Sequence, residues 1–153
     1  MKINLPLLAL LILPAYLLAQ LQSNLDYGSY HRHIIQAEEL IADEKYAEAL
    51  TAFEQVFGAY HFVFLRDYKV AAQLALFTKQ EAKAFQLLKQ AITHGLTLQD
   101  FKKSQWLKSA QDKAAWKTLK SQYPSLHQDY LKGLDQDLRT EVEDLFKKDQ
   151  KLA

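Results

Sequence analysis

Lys45-Tyr46-Ala47-Glu48-Ala49-Leu50-Thr51-Ala52-Phe53-Glu54-Gln55-Val56-Phe57 decides how this chain is read, because its apolar spacing returns downstream at a fixed interval. From Ala49 the apolar side chains fall at Leu50, Phe53, Val56 and Phe57, the i, i+3/i+4, i+7/i+8 stripe that an amphipathic helix turns toward a core. Moved by 35 residues, the stripe becomes Ala84, Phe85, Leu88, Ala91 and Ile92. A recurrence at that period identifies a repeat whose unit is a pair of helices.

Upstream, residues 30–43 read as the first helix of the unit, started by Ser29 as N-cap. Ile34, Ile35, Ala37, Leu40 and Ile41 are expected on its inner side, with Glu38, Glu39 and Asp43 in water. Asp43-Glu44-Lys45 makes a tight antiparallel turn into the opening stretch. After the interruption Gly58-Ala59-Tyr60-His61-Phe62, residues 64–78 restore the first helix, with Val70 on Ile35, Ala72 on Ala37, Ala75 on Leu40 and Leu76 on Ile41. Lys79-Gln80-Glu81 is the second turn, and residues 82–93 are the second outer helix, ended by His94-Gly95 with glycine in the left-handed position. One helical hairpin cannot bury its own face, so the two are expected to stack. The fold class predicted is all-α: stacked antiparallel helix hairpins over residues 30–95.

Ala37, Tyr46, Ala49 and Phe53, followed by Ala72, Ala84, Leu88 and Ala91, resemble the small and large consensus positions of the tetratricopeptide repeat, whose period is about 34 residues. In that family the first helix of each hairpin lines a concave groove that takes an extended peptide or a partner's helix. The resemblance implies that Arg66, Lys69 and Gln73 face such a groove from the second hairpin, and His31, Ile34 and Glu38 from the first. Arg66 and Lys69 resemble part of the clamp that some members close on a peptide carboxylate, with Val70 standing where an Asn is usual.

Residues 96–124 resemble a worn-down third hairpin. Leu96, Leu98, Phe101, Trp106 and Leu107 suggest a short helix, and Asp112 an N-cap for a helix through Trp116 and Leu119 to about Tyr123, stopped by Pro124. Trp106 and Trp116 are expected to cap the apolar end of the stack. In the last segment, 125–153, a helical turn ends at Gly133. A final amphipathic helix carries Leu134, Leu138, Val142, Leu145 and Phe146 on one face and Asp137, Glu141, Glu143, Lys147 and Lys148 on the other. That helix either folds back on the stack or begins something else.

Met1-Lys2-Ile3-Asn4, the uncharged run 5–18 and the polar start after Ala19 have the layout of a secretory signal, predicted as residues 1–19 with a lead-in at 20–29. The apolar run is shorter than the roughly 20 residues of a membrane span. Export to the periplasm or beyond is expected. A retained segment would instead tie the protein to the membrane. With no cysteine, the chain has neither a lipid-modified cysteine nor a disulfide, and an exported product must hold together by packing.

The formal net charge of +1 points to neither nucleic acid nor an anionic membrane. Locally the charge is uneven: residues 26–54 carry seven acidic side chains against Arg32 and Lys45, while residues 100–120 carry six lysines against Asp100 and Asp112. The Lys-rich segment with Trp106 and Trp116 could stack on nucleic acid, but export argues against that partner. No nucleophile elbow, phosphate loop or cysteine nucleophile is present in the sequence. His31 and His33 lie two residues apart, about 200° around a helix, and cannot share a metal. The expectation is therefore a non-catalytic adaptor without cofactor or metal, whose partner is a protein or peptide. The alternatives are the recognition half of a larger enzyme and a self-associating envelope protein.

Overall fold

Among the described residues, two that carry side chains sit at positive φ, Glu44 and Lys79, both at 61°, and they are 35 residues apart. The computed structural model describes residues 27–150, of which 83% are helical and none is in a strand, so the all-α class holds. The expected signal segment and most of the lead-in lie outside the described residues.

The first hairpin pairs α1 (Tyr27–Ala42) with α2 (Tyr46–Ala59), and the second pairs α3 (Leu65–Phe77) with α4 (Glu81–Thr93). The chain divides into two compact units between Val63 and Phe64, one hairpin in each. The two turns are built alike. Lys45 N–H donates to the Leu40 carbonyl at 2.8 Å and Gln80 N–H to the Ala75 carbonyl at 2.8 Å, each across the left-handed residue that ends its helix. The same closure ends α4, where Leu96 N–H donates to the Ala91 carbonyl at 2.9 Å across Gly95.

The repeated stripe is buried in both copies: Ala49, Leu50, Phe53 and Val56 in α2, Ala84, Phe85, Leu88 and Ala91 in α4. Ala37 and Ala72 are fully buried on the first helices, where small side chains let a neighbouring helix approach closely. The inner side of α1 differs from the expectation. Tyr30, Ile34 and Ala37 form it, whereas Ile35 is 51% exposed. The stripe is phased on Tyr30, and one step of 100° from Ile34 carries Ile35 outward. The helix already runs at Tyr27, so Ser29 lies in its first turn, accepting a hydrogen bond from Arg32 at 2.7 Å rather than starting the helix.

At the open end of the first hairpin, the buried Tyr30 ring meets Tyr60 edge-on at 5.2 Å and Phe62 at 5.1 Å. This aromatic cluster continues through Tyr27 and His31, whose rings are 4.4 Å apart.

In the second unit, α5 (Leu98–Lys103) opens on a capping box between Thr97 and Asp100. The very short α6 (Gln105–Lys108) and a 3-10 turn (Ser109–Asp112) lead to α7 (Ala115–Lys132), which packs on α4. Asp112 ends the 3-10 turn, and Ala114 stands at the N-cap of α7 without a side-chain cap. Pro124 does not stop α7, which runs on to Lys132. Proline removes one donor, and both Pro124 and Lys120, whose carbonyl loses its partner, are exposed to water. The extension lays Tyr130 against Gly95, where a Cβ would come within 3.0 Å of the ring.

Finally α8 (Gln136–Gln150) is capped by Asp135, whose carboxylate accepts from the N–H groups of Asp137 at 3.1 Å and Leu138 at 3.0 Å. Every residue of α8 is exposed, so the helix is not folded onto the body. Among the described residues no helix is long and apolar enough to cross a membrane.

Candidate functional site: an aromatic cleft in the second unit

Arg66, Lys69 and Gln73 lie at i, i+3 and i+7 on α3, which places them in one stripe along the helix. The stripe continues one turn further to Phe77, 56% exposed at the end of the helix. From Gln73 onward it forms one wall of a cleft of about 410 Å³, which also takes in Leu76, Gln105, Trp106, Ser109 and Lys113. That volume suits one or two peptide side chains.

The opposite wall is set by what is anchored beneath it. Phe101, Leu107 and Ala110 are fully buried, and the Phe101 ring packs at 4.8 Å against the half-buried Trp116, the two planes tilted by 54°. The Gln111 side chain donates to the Phe101 carbonyl at 3.0 Å, tying α5 to the 3-10 turn. With Leu107 held inside, the preceding residue Trp106 must turn outward, and it is 61% exposed. Ser109 donates to the Trp106 carbonyl at 2.7 Å, which closes the turn beside the ring. The expectation that both tryptophans cap the end of a stack is corrected for Trp106, whose ring faces the cleft and water.

Leu76, Phe77 and Trp106 supply the apolar part of the lining, and Gln73, Gln105, Ser109 and Lys113 the polar part. Lys113 stands 3.7 Å from Glu81, both partly exposed. Lys102, Lys103, Lys108, Lys117 and Lys120 are exposed on the same unit. Asp100 feels nearby positive charge. Partial burial raises its pKa, but hydrogen bonds from the Thr97 hydroxyl and backbone N–H, with the charges of Lys69 and Lys103, outweigh burial and hold it below the ordinary carboxylate value. Arg66 donates through Nε to the buried Asp67 at 2.9 Å, so its guanidinium is bonded within α3 itself.

The three residues assigned to the groove from the first hairpin belong to the other unit. Ile34 is corrected outright: it is fully buried in the core and presents nothing to a ligand. His31 stands in the aromatic cluster with Tyr27 and Tyr30, and Glu38 is half-buried. A separate hollow of about 350 Å³ lies in the first unit beside His33, whose Nδ1 is 3.0 Å from the Tyr60 hydroxyl. Among the described residues no three histidines or acids are grouped to hold a metal.

The sequence reading found Gln73 but missed Phe77, Gln105, Ser109 and Lys113, and it placed Leu76 with the core. One signal was present: Phe77 prolongs the Arg66-Lys69-Gln73 stripe by a turn. The other wall is irregular and had no periodicity to reveal it. Compared with models of known protein families, with curated proteins and with solved structures, the chain matches none of them.

Proposed function

We propose that this protein is a non-catalytic interaction module built from tetratricopeptide-like hairpins, exported through its N-terminal segment. Its second unit receives a peptide carrying a large apolar or aromatic side chain beside an acidic residue. The observation that carries the reading is the exposed Trp106 facing the cleft with Phe77 and Leu76, on a unit that also exposes Lys102, Lys103, Lys108, Lys117 and Lys120. An exposed indole in an apolar hollow offers much contact area for little loss of conformational freedom, which is why such residues anchor interfaces. The equal spacing and equal closure of the two helix-ending turns support the repeat. The exposed lysines of this unit favour an acidic neighbour by steering more than by affinity.

Fluorescence tests this directly, because the chain has two tryptophans. In a Trp116→Phe chain the emission reports Trp106 alone. Titration with peptides of the type Asp-Phe-Glu should shift that emission to shorter wavelength, saturably, while peptides with Lys in place of the acids should need several-fold higher concentration. No shift with any aromatic peptide would end the proposal. Export is tested separately by N-terminal sequencing of protein recovered from the envelope: a start at Gln20 is expected, and an intact Met1 in the cytosol would contradict it.

A further inference from the structure

Leu138, Val142 and Leu145 on α8 are spaced by four and three residues, the alternation of a coiled-coil seam, and Phe146 flanks them. They are 56%, 55%, 56% and 64% exposed in chain order, so the seam is built but uncovered. Leu138 and Val142 also line an open cleft of about 640 Å³ that takes in Gly95, Tyr130, Leu131 and Leu134.

The charges beside the seam indicate what covers it. On this helix Arg139 bonds Glu143 at 3.0 Å and Lys147 reaches Asp144 at 3.5 Å, both within the helix. Glu141 and Lys148, one heptad apart on the same flank of the seam, have no partner among the described residues. We propose that α8 pairs antiparallel with α8 of a second copy of this chain. That arrangement puts Val142 opposite Leu145 of the second copy. It brings Glu141 opposite Lys148 of the second copy, and the two-fold axis repeats the pair. A parallel pair in register sets Glu141 beside Phe146 and leaves the charges unused. Antiparallel packing also opposes the two helix dipoles favourably. Fifteen residues give a seam only about 22 Å long. It buries less than the standard interface of about 1,600 Å², so the dimer is weak and concentration-dependent.

Sedimentation velocity on the full chain, scanned over about two decades of concentration, tests the pairing with charge reversals. Glu141→Lys alone and Lys148→Glu alone should each weaken self-association by roughly tenfold, since two attractions become two repulsions. An equimolar mixture of the two variants should recover it as a heterodimer, because the reversed residues then face opposite charges again. Both substitutions fall on exposed positions, and unchanged circular dichroism verifies that α8 persists. A wild-type chain that stays monomeric throughout, an association indifferent to either reversal, or a mixture no stronger than the single variants would each overturn the proposal.

Discussion

Gly95 has φ 101° and a tyrosine ring where its side chain would be, so two separate constraints fix its identity. Gly95→Ala should cost about 2 kcal/mol in urea unfolding, from backbone strain together with displacement of Tyr130. Lys79 holds the corresponding position of the preceding turn without glycine, paying left-handed strain of about 1–2 kcal/mol that Lys79→Gly relieves. The glycine gives back about 0.4–1 kcal/mol in unfolded-state entropy, leaving a net gain near 0.5 kcal/mol by the same measurement. The left-handed role of Gly95 was legible from sequence because glycine announces it. Glu44 and Lys79 were not, since neither side chain marks a positive φ; closure of the hydrogen bond behind each helix imposes it. Ile35 was placed inside along with Ile34 for a related reason: two adjacent isoleucines carry the same apolar signal, and only the buried Tyr30 sets which of them points inward.

At the scale of the element, α2, α3 and α4 were readable within a residue or two because their stripes are long and regular. The irregular region from Thr97 to α7 was not. Its first cap, Thr97 with Asp100, is a capping box with Asp in place of the commoner Glu or Gln. Thr97→Ala should destabilise the second unit by about 1 kcal/mol, seen as a lower unfolding midpoint in denaturant. The net lowering of the Asp100 pKa gives that carboxylate a stabilising role above its unfolded value of about 3.9, lost as pH falls through the lower folded value. The wild type should accordingly lose more stability than Asp100→Asn as pH falls from about 5 to 3. Pro124 reads as a stop, yet α7 passes through it, because the orphaned carbonyl reaches water and the continuation places Tyr130 on Gly95. A proline tolerated in a helix still costs the helix a hydrogen bond, so Pro124→Ala should raise thermal stability by about 1–3 kcal/mol.

For the whole molecule, the sequence disclosed the hairpins more readily than the site. Periodicity reports which side of a helix is buried, and it recovered the core of α2 and α4 through the 35-residue recurrence. A cleft is made where elements of different kind meet, and half of this one comes from two short turns of helix that have no period to detect. Only the α3 wall, from Gln73 to Phe77, could have been drawn from the stripe. The predicted binding role therefore rests on a ring that packing of Leu107 and Phe101 forces outward, and on the exposed lysines of the same unit. Selection of a displayed random-peptide library on the full chain, run in parallel on Trp106→Ala, addresses this directly. Peptides with an aromatic or large apolar residue next to Asp or Glu should be enriched on the wild type and bind Trp106→Ala about thirtyfold more weakly, with the two proteins unfolding alike. No enrichment on the wild type, or enriched peptides that bind Trp106→Ala equally well, would contradict it.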